Sequence, residues 1–296
     1  MYLKPLLALV TLLFCLSGCS VKFAYNNVDR LVRWQMSDYL DLNAEQKDLL
    51  QRELDSLMSW HRTEHLPQYA AFSYELADGW RDGVTEAQIA AAVEQMFLWG
   101  DEIQTRMMPG SIEMLLSLTD AQVAALPAKL ERSNVEIAED EVDVPLADIQ
   151  AGWAEDFEDA FERFTGRMMR EQKSYISRRA LAYQPERLMW AQYRRRWQAD
   201  LLELLELRDS PAEFERGFRE LVATRESYYG EEFMRVSEAN IDLSREVASY
   251  LLSNLSEKQS MRFSESMRDL AEDFAELAAQ GEAPRAPTET PLKTSG

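Results

Sequence analysis

From residue 25 onward, apolar side chains recur every three or four positions, and this spacing marks amphipathic helices. Over 44–60, Leu49, Leu50, Leu54, Leu57, Met58 and Trp60 form one stripe, while Lys47, Asp48, Arg52, Glu53 and Asp55 take the opposite face. Over 146–183, Ile149, Trp153, Phe157, Phe161, Phe164, Met168, Tyr175 and Ile176 repeat the pattern. No run of alternating β-branched residues competes with it. Helices are predicted near 24–40, 44–65, 67–81, 85–108, 110–118, 119–142, 146–183, 185–208, 210–229, 231–253 and 256–280. Pro67, Pro109, Pro145, Pro185 and Pro211 fall where helices begin or restart. Pro127 lies inside a helical pattern and predicts a kink or break. The expected fold class is all-α, an elongated antiparallel multi-helix bundle, because each stripe needs a neighbouring helix to cover it.

The first residues have a different pattern. Lys4 is followed by an apolar run from Pro5 to Leu16, and then by Leu16-Ser17-Gly18-Cys19. The run is too short to span a bilayer as a helix, which takes about 20 apolar residues. A basic start, an apolar stretch and a small pair before cysteine read as a lipoprotein signal peptide over 1–18, with Cys19 as the lipidated residue. Several acyl chains on one residue anchor a protein stably. The expected location is therefore a membrane facing the periplasm. Ser20 follows the cysteine. By resemblance to Gram-negative lipoproteins, in which aspartate there signals retention at the inner membrane, the outer membrane is implied. Residues 19–280 read as the helical periplasmic domain. Residues 281–296, rich in Pro and Thr, read as a disordered tail. Beyond Cys19 there is no further cysteine, so stability must come from packing.

The formal charge of −20 argues against a nucleic-acid partner, since phosphates would be repelled. The charge is also segregated. Glu131–Glu162 holds twelve acids and one base, whereas Arg163–Arg196 holds ten bases and two acids. The basic stretch interleaves Tyr175, Tyr183, Trp190, Tyr193 and Trp197. Arg178, Arg179, Arg187, Trp190, Arg194 and Trp197 are the candidate binding residues, for an acidic partner, lipid A phosphates or an envelope glycan. The alternative is that the two segments pair neighbouring helices or face solvent.

Catalytic signals are sparse. His61-Arg62-Thr63-Glu64-His65 matches the H-x-x-E-H pattern of inverted zinc peptidases, with His61 and His65 as ligands and Glu64 as base. Glu136, Glu139 or Glu141 would have to supply a third ligand. The alternative is a helix C-terminus at which Trp60 and Leu66 pack and the polar tips face water. There is no G-x-S-x-G elbow and no phosphate-binding glycine loop. No cofactor, no resident metal and no enzymatic activity are expected.

Four short segments resemble one another. They are Leu42-Asn43-Ala44-Glu45-Gln46, Val84-Thr85-Glu86-Ala87-Gln88, Leu118-Thr119-Asp120-Ala121-Gln122 and Leu255-Ser256-Glu257-Lys258-Gln259. Each has the form of a capping box, with a Thr, Ser or Asn cap and a Gln three residues on. They resemble the Leu-Thr-x-x-Gln motifs of the Spy and CpxP family of helical periplasmic chaperones and stress modulators, in which the motif opens helices of a cradle for partly unfolded clients. A further resemblance runs through Phe23-x-Tyr25-Asn26-Asn27, Asp38-Tyr39-x-Asp41-Leu42, Gln46, Trp60-His61-Arg62 and Leu66-Pro67-x-Tyr69-Ala70. It is to a family of all-helical proteobacterial lipoproteins with a domain of unknown function, and it implies location and fold but no chemistry. The expected role is non-enzymatic: an envelope scaffold or chaperone-like holder of unfolded clients, or alternatively a dedicated partner of an envelope assembly.

Overall fold

The computed structural model describes residues 19–80, 83–139 and 143–282, and among them the chain is all-α. The expected signal peptide over 1–18, Glu141 and all but the first two residues of the expected tail lie outside the described residues. The helices are α1 (Cys19–Tyr25), α2 (Val28–Tyr39), α3 (Ala44–Trp60), α4 (Leu66–Gly79), α5 (Glu86–Leu116), α6 (Asp120–Glu139), α7 (Leu146–Thr165), α8 (Arg170–Ala180), α9 (Arg187–Leu205), α10 (Pro211–Ala223), α11 (Glu231–Ser253) and α12 (Glu257–Glu282). A π-helical turn, His61–His65, joins α3 to α4, and a 3₁₀ turn, Arg225–Tyr228, follows α10.

Several expected boundaries move. The helices expected at 85–108 and 110–118 are one helix, α5, which carries Pro109 in its interior. Pro127 likewise sits within α6, which continues past it. In both places neighbouring helices hold the segment, and the missing N–H removes one hydrogen bond without ending the helix. The helix expected at 146–183 is instead divided at Gly166, whose φ of 73° and ψ of −166° lie where only glycine is at ease. At the other end, α12 runs to Glu282, two residues into the segment read as tail.

Three buried clusters hold the helices. Val21 and Tyr25 of α1 join Leu66, Ala70 and Ala77 of α4 and Phe263, Met267, Phe274 and Leu277 of α12. Ile112 of α5, Val123 and Leu126 of α6, Leu201 and Leu205 of α9 and Phe214, Phe218 and Leu221 of α10 form the second, with Leu40 and Leu118. Met168, Ile176 and Ala180 pack with Leu243, Val247 and Leu251 of α11 in the third. Filling one Leu- or Phe-sized site of this kind contributes roughly 1.5–3 kcal/mol.

The order of contacts repeats itself along the chain. In the first half α3 runs antiparallel to α5, with Arg106 donating to Ser56 at 3.0 Å, and α2 packs on α6. In the second half α8 runs antiparallel to α11, with Tyr175 donating to Glu246 at 2.9 Å, and α7 packs on α12. The halves then exchange helices. α4 lies against α12, Ser264 Oγ donating to the Ala77 carbonyl at 2.7 Å, while α9 lies against α6 through the Arg195–Glu131 pair. α10 is the segment of the second half without a counterpart in the first.

Candidate functional site

The repeat is fastened by glutamines. Asn43 caps α3, and Gln46 closes the capping box by accepting from Asn43 N at 3.0 Å. The amide nitrogen of Gln46 then reaches across the fold to the Ser117 carbonyl (2.8 Å) and to Gln122 Oε1 (2.9 Å). Gln122 does the same in reverse. It closes the box at Thr119 and donates to the Asp41 carbonyl (2.8 Å) and to Gln46 Oε1 (2.7 Å). Each glutamine thus satisfies the start of its own helix and the loop just ahead of the other.

A second clasp has the same wiring. Gln259 closes the box at Ser256 and donates to the Arg167 carbonyl (3.3 Å) and to Gln172 Oε1 (2.9 Å). Gln172 accepts from Met169 N at 2.8 Å and donates to the Asn254 carbonyl (3.1 Å) and to Gln259 Oε1 (3.3 Å). Sequence reading missed the segment Met168–Gln172, because methionine stands where a capping side chain is expected. The glycine two residues ahead of Met168 and a Gln three residues past Met169 were the available signals. Conversely, Thr85-Glu86-Ala87-Gln88 forms a capping box with Gln88 exposed at the surface. Of the four segments read from sequence, three enter clasps, together with one that was not read.

The second arrangement is the π turn. Pro67 cannot donate to the carbonyl four residues back, and its ring crowds that position, which favours a looser turn just before it. Leu66 N accordingly bonds to the His61 carbonyl, five residues back. Single π turns within helices are frequent at functional positions. Here the turn directs His61 and His65 inward, with their rings stacked 5.2 Å apart. Both are buried, His65 completely, which corrects the expectation that the polar tips face water. His61 Nδ1 shares a hydrogen bond with Tyr25 Oη at 2.9 Å, and His65 Nδ1 one with Tyr69 Oη at 3.2 Å. His65 Nε2 stands 3.1 Å from the Glu102 carboxylate, within ion-pair range but off-line for a hydrogen bond. Trp60 lies against His65, and Tyr69 against Trp99, with ring centres 4.4 and 4.5 Å apart.

Burial keeps this cluster uncharged. Desolvation, helped by the neighbouring His65 and Arg62, pushes His61 down to about 3. It also lowers His65 against the opposing pull of Glu102, and raises Tyr25 to about 12. Neutral imidazoles and phenols of this kind can exchange hydrogen-bond roles without carrying charge. The H-x-x-E-H residues are not brought together as a unit. Glu64 is exposed while the two histidines face inward, and the acid beside them is Glu102, on α5. Glu136 and Glu139 are exposed on α6, which packs on α9. Among the described residues no group of three His, Cys, Asp or Glu side chains is placed to hold a metal ion.

The basic-aromatic residues are divided between α8 and α9. Arg178 bonds Ser174 (2.7 Å) and Arg179 pairs with Glu246. Arg194 lies over Trp190 with 5.5 Å to the ring centre, and bonds Ser133 and Tyr39. Trp197 donates to the Leu221 carbonyl at 3.3 Å and packs on the second cluster. Arg187, half-buried at the start of α9, also has a partner. The charge segregation seen in sequence resolves partly into helix pairing: Lys173 with Glu158 and Glu162, and Arg195 with Glu131.

An all-α body with paired glutamine clasps and a buried imidazole–phenol cluster is the class that fold and site define. The chain matches a protein family of unknown function, DUF6279, over residues 38–234, and it belongs to that family. No curated protein and no solved structure matches it.

Proposed function

We propose that this chain is a periplasmic lipoprotein, held at the outer membrane through Cys19, that acts as a non-enzymatic binding scaffold with chaperone-like holding of clients. The observation that carries this reading is the orientation of its side chains. The clasp glutamines and the two imidazoles turn inward to lock the helices, while large apolar side chains stand outside on an acidic body. Leu181 is 72% exposed, and Met261, Leu98 and Met107 are also exposed. Exposed apolar side chains on a soluble, charged frame suit weak contact with many apolar segments.

Two further points support it. The clasps give the Leu-Thr-x-x-Gln-like segments a shared architectural role, in keeping with their resemblance to the Spy and CpxP family. A peptidase built on H-x-x-E-H needs Glu64 and both imidazoles at one opening, and here Glu64 is exposed while both imidazoles are buried. A dedicated envelope partner is the second reading. It is favoured by the corner at which exposed Leu181 and Leu188 flank the turn between Arg178 and Arg187.

The test is photo-crosslinking in cells from Leu181 and from Met261, with mass spectrometry of the adducts. A spread of unrelated periplasmic proteins supports client holding, and one dominant adduct supports the dedicated partner. Absence of adducts from both positions overturns the binding reading. Acylation is tested separately by the mass of the N-terminal peptide, which should begin at a lipid-modified Cys19.

A further inference from the structure

The anchor and the body are joined without slack. α1 begins at Cys19, and two residues later Val21 is already buried in the first core cluster, followed by Tyr25. Lys22 bonds Asp273 at 2.9 Å and Glu276 at 2.7 Å on α12. Tyr25 meets His61, and Arg62 reaches back to Asn26 Oδ1 at 2.8 Å while lying over the Tyr25 ring. A lipid on residue 19 would therefore hold a docked helix, and with it the whole body.

Over α1 and α2, three large apolar side chains stand among the outward, otherwise polar, positions. Phe23 is 70% exposed, one turn past Cys19. In α2, which contains no buried residue, Trp34 is 65% and Leu31 42% exposed. Three positions apart, these two share a helix face. Charge points the same way. Residues 19–39 carry Lys22, Arg30 and Arg33 against Asp29 and Asp38, a small positive balance in a chain of net −20. Trp with nearby Arg on an amphipathic helix suits the headgroup layer of a bilayer, where the ring is half-solvated and the cations meet anionic lipid.

We infer that Phe23, Leu31 and Trp34 form a membrane-contact face, seated in the interfacial layer of the membrane that holds Cys19. α1 and α2 then lie along the bilayer, and the body has one fixed side toward it. This rests on the lipid-anchor reading, and the experiment separates the two. The chain from residue 19 is coupled through its one cysteine to a maleimide-headgroup lipid in phosphatidylethanolamine–phosphatidylglycerol vesicles, so the anchor is present whatever happens in cells. Tryptophan emission is then quenched with lipid brominated near the headgroup, comparing the native sequence with Trp34→Phe.

The expected result is quenching and a blue shift that disappear in Trp34→Phe and weaken in Phe23→Ser/Leu31→Ser. Equal quenching in the native and Trp34→Phe proteins overturns the contact face. So does a Trp34 that stays unquenched on vesicles, as it would if this face were reserved for a protein. Equal helical content and melting of the variants guards against misfolding, since all three side chains are exposed. Failure of acylation in cells, read from the N-terminal peptide, would remove the anchor reading and leave the vesicle result standing.

Discussion

Gln46 and Gln122 hydrogen-bond to each other in both directions, at 2.9 and 2.7 Å, across 76 residues of sequence. Each also caps its own helix and holds a carbonyl ahead of the other. One pair of side chains therefore closes two helix starts and two loops, and Gln172 and Gln259 repeat the device.

Removing one member of a clasp leaves buried partners unsatisfied, at roughly 1–3 kcal/mol per group. Gln259→Ala should lower the urea midpoint clearly, because the Arg167 carbonyl and the Gln172 amide both lose a partner. Adding Gln172→Ala should cost less than the two single losses combined, with a coupling of roughly 0.5–3 kcal/mol. Simple additivity in that double-mutant cycle would contradict the clasp.

His61 gives the stability a sign with pH. Its folded value, about 3, lies below the ordinary 6.5, so the unfolded chain takes up the proton first. The neutral ring's contribution is intact above pH 6.5 and is progressively lost as pH falls from there toward 3. Melting temperatures of the native protein and of His61→Phe should converge as pH is lowered through this range, because the variant lacks that penalty. A constant difference between the two curves would sink the assignment.

Gly110 sits where α5 crosses α3. A Cβ there would overlap the Glu53 side chain. Gly110→Val should destabilise by roughly 1–3 kcal/mol, the usual range for overpacking, unless Glu53 is shortened as well. Glu53→Ala in the same background should restore most of the loss in denaturant unfolding.

Gly166 ends α7 at a backbone angle that other residues adopt only with strain. Gly166→Ala should cost on the order of 1–3 kcal/mol. The equivalent residue of the first clasp, Leu40, is extended at φ −132°, so glycine there brings no such gain. Opposite responses of the two positions to Ala/Gly exchange, read from denaturation curves, check that the second loop is shaped by glycine.

The helical class could be read from the sequence because the stripes of α3 and α7 are unbroken and strands have no competing pattern. Boundaries were lost where tertiary packing overrides a local rule. Pro109 and Pro127 lie in helices held by neighbours, whereas Gly166 breaks a stripe that hydrophobic spacing alone carries straight through. The capping boxes were visible one at a time. Their pairing was not, because an amide that joins position 46 to position 122 leaves no trace in the spacing around either. The histidine pair was visible as a motif. Its inward direction was not, since it depends on one extra residue in the turn before Pro67, and Glu102, its acidic neighbour, lies 37 positions further on from His65 in the chain.

The exchange of α4 and α9 between the halves has a consequence for how the chain comes apart. Severed between α6 and α7, neither fragment would keep a complete wall: the first would lack the helix that covers Leu66 and Ala70, and the second the one that covers Leu201 and Leu205. Two repeats laid end to end in sequence thus become mutual lids, and the molecule melts as one body or finds its missing piece in the other fragment.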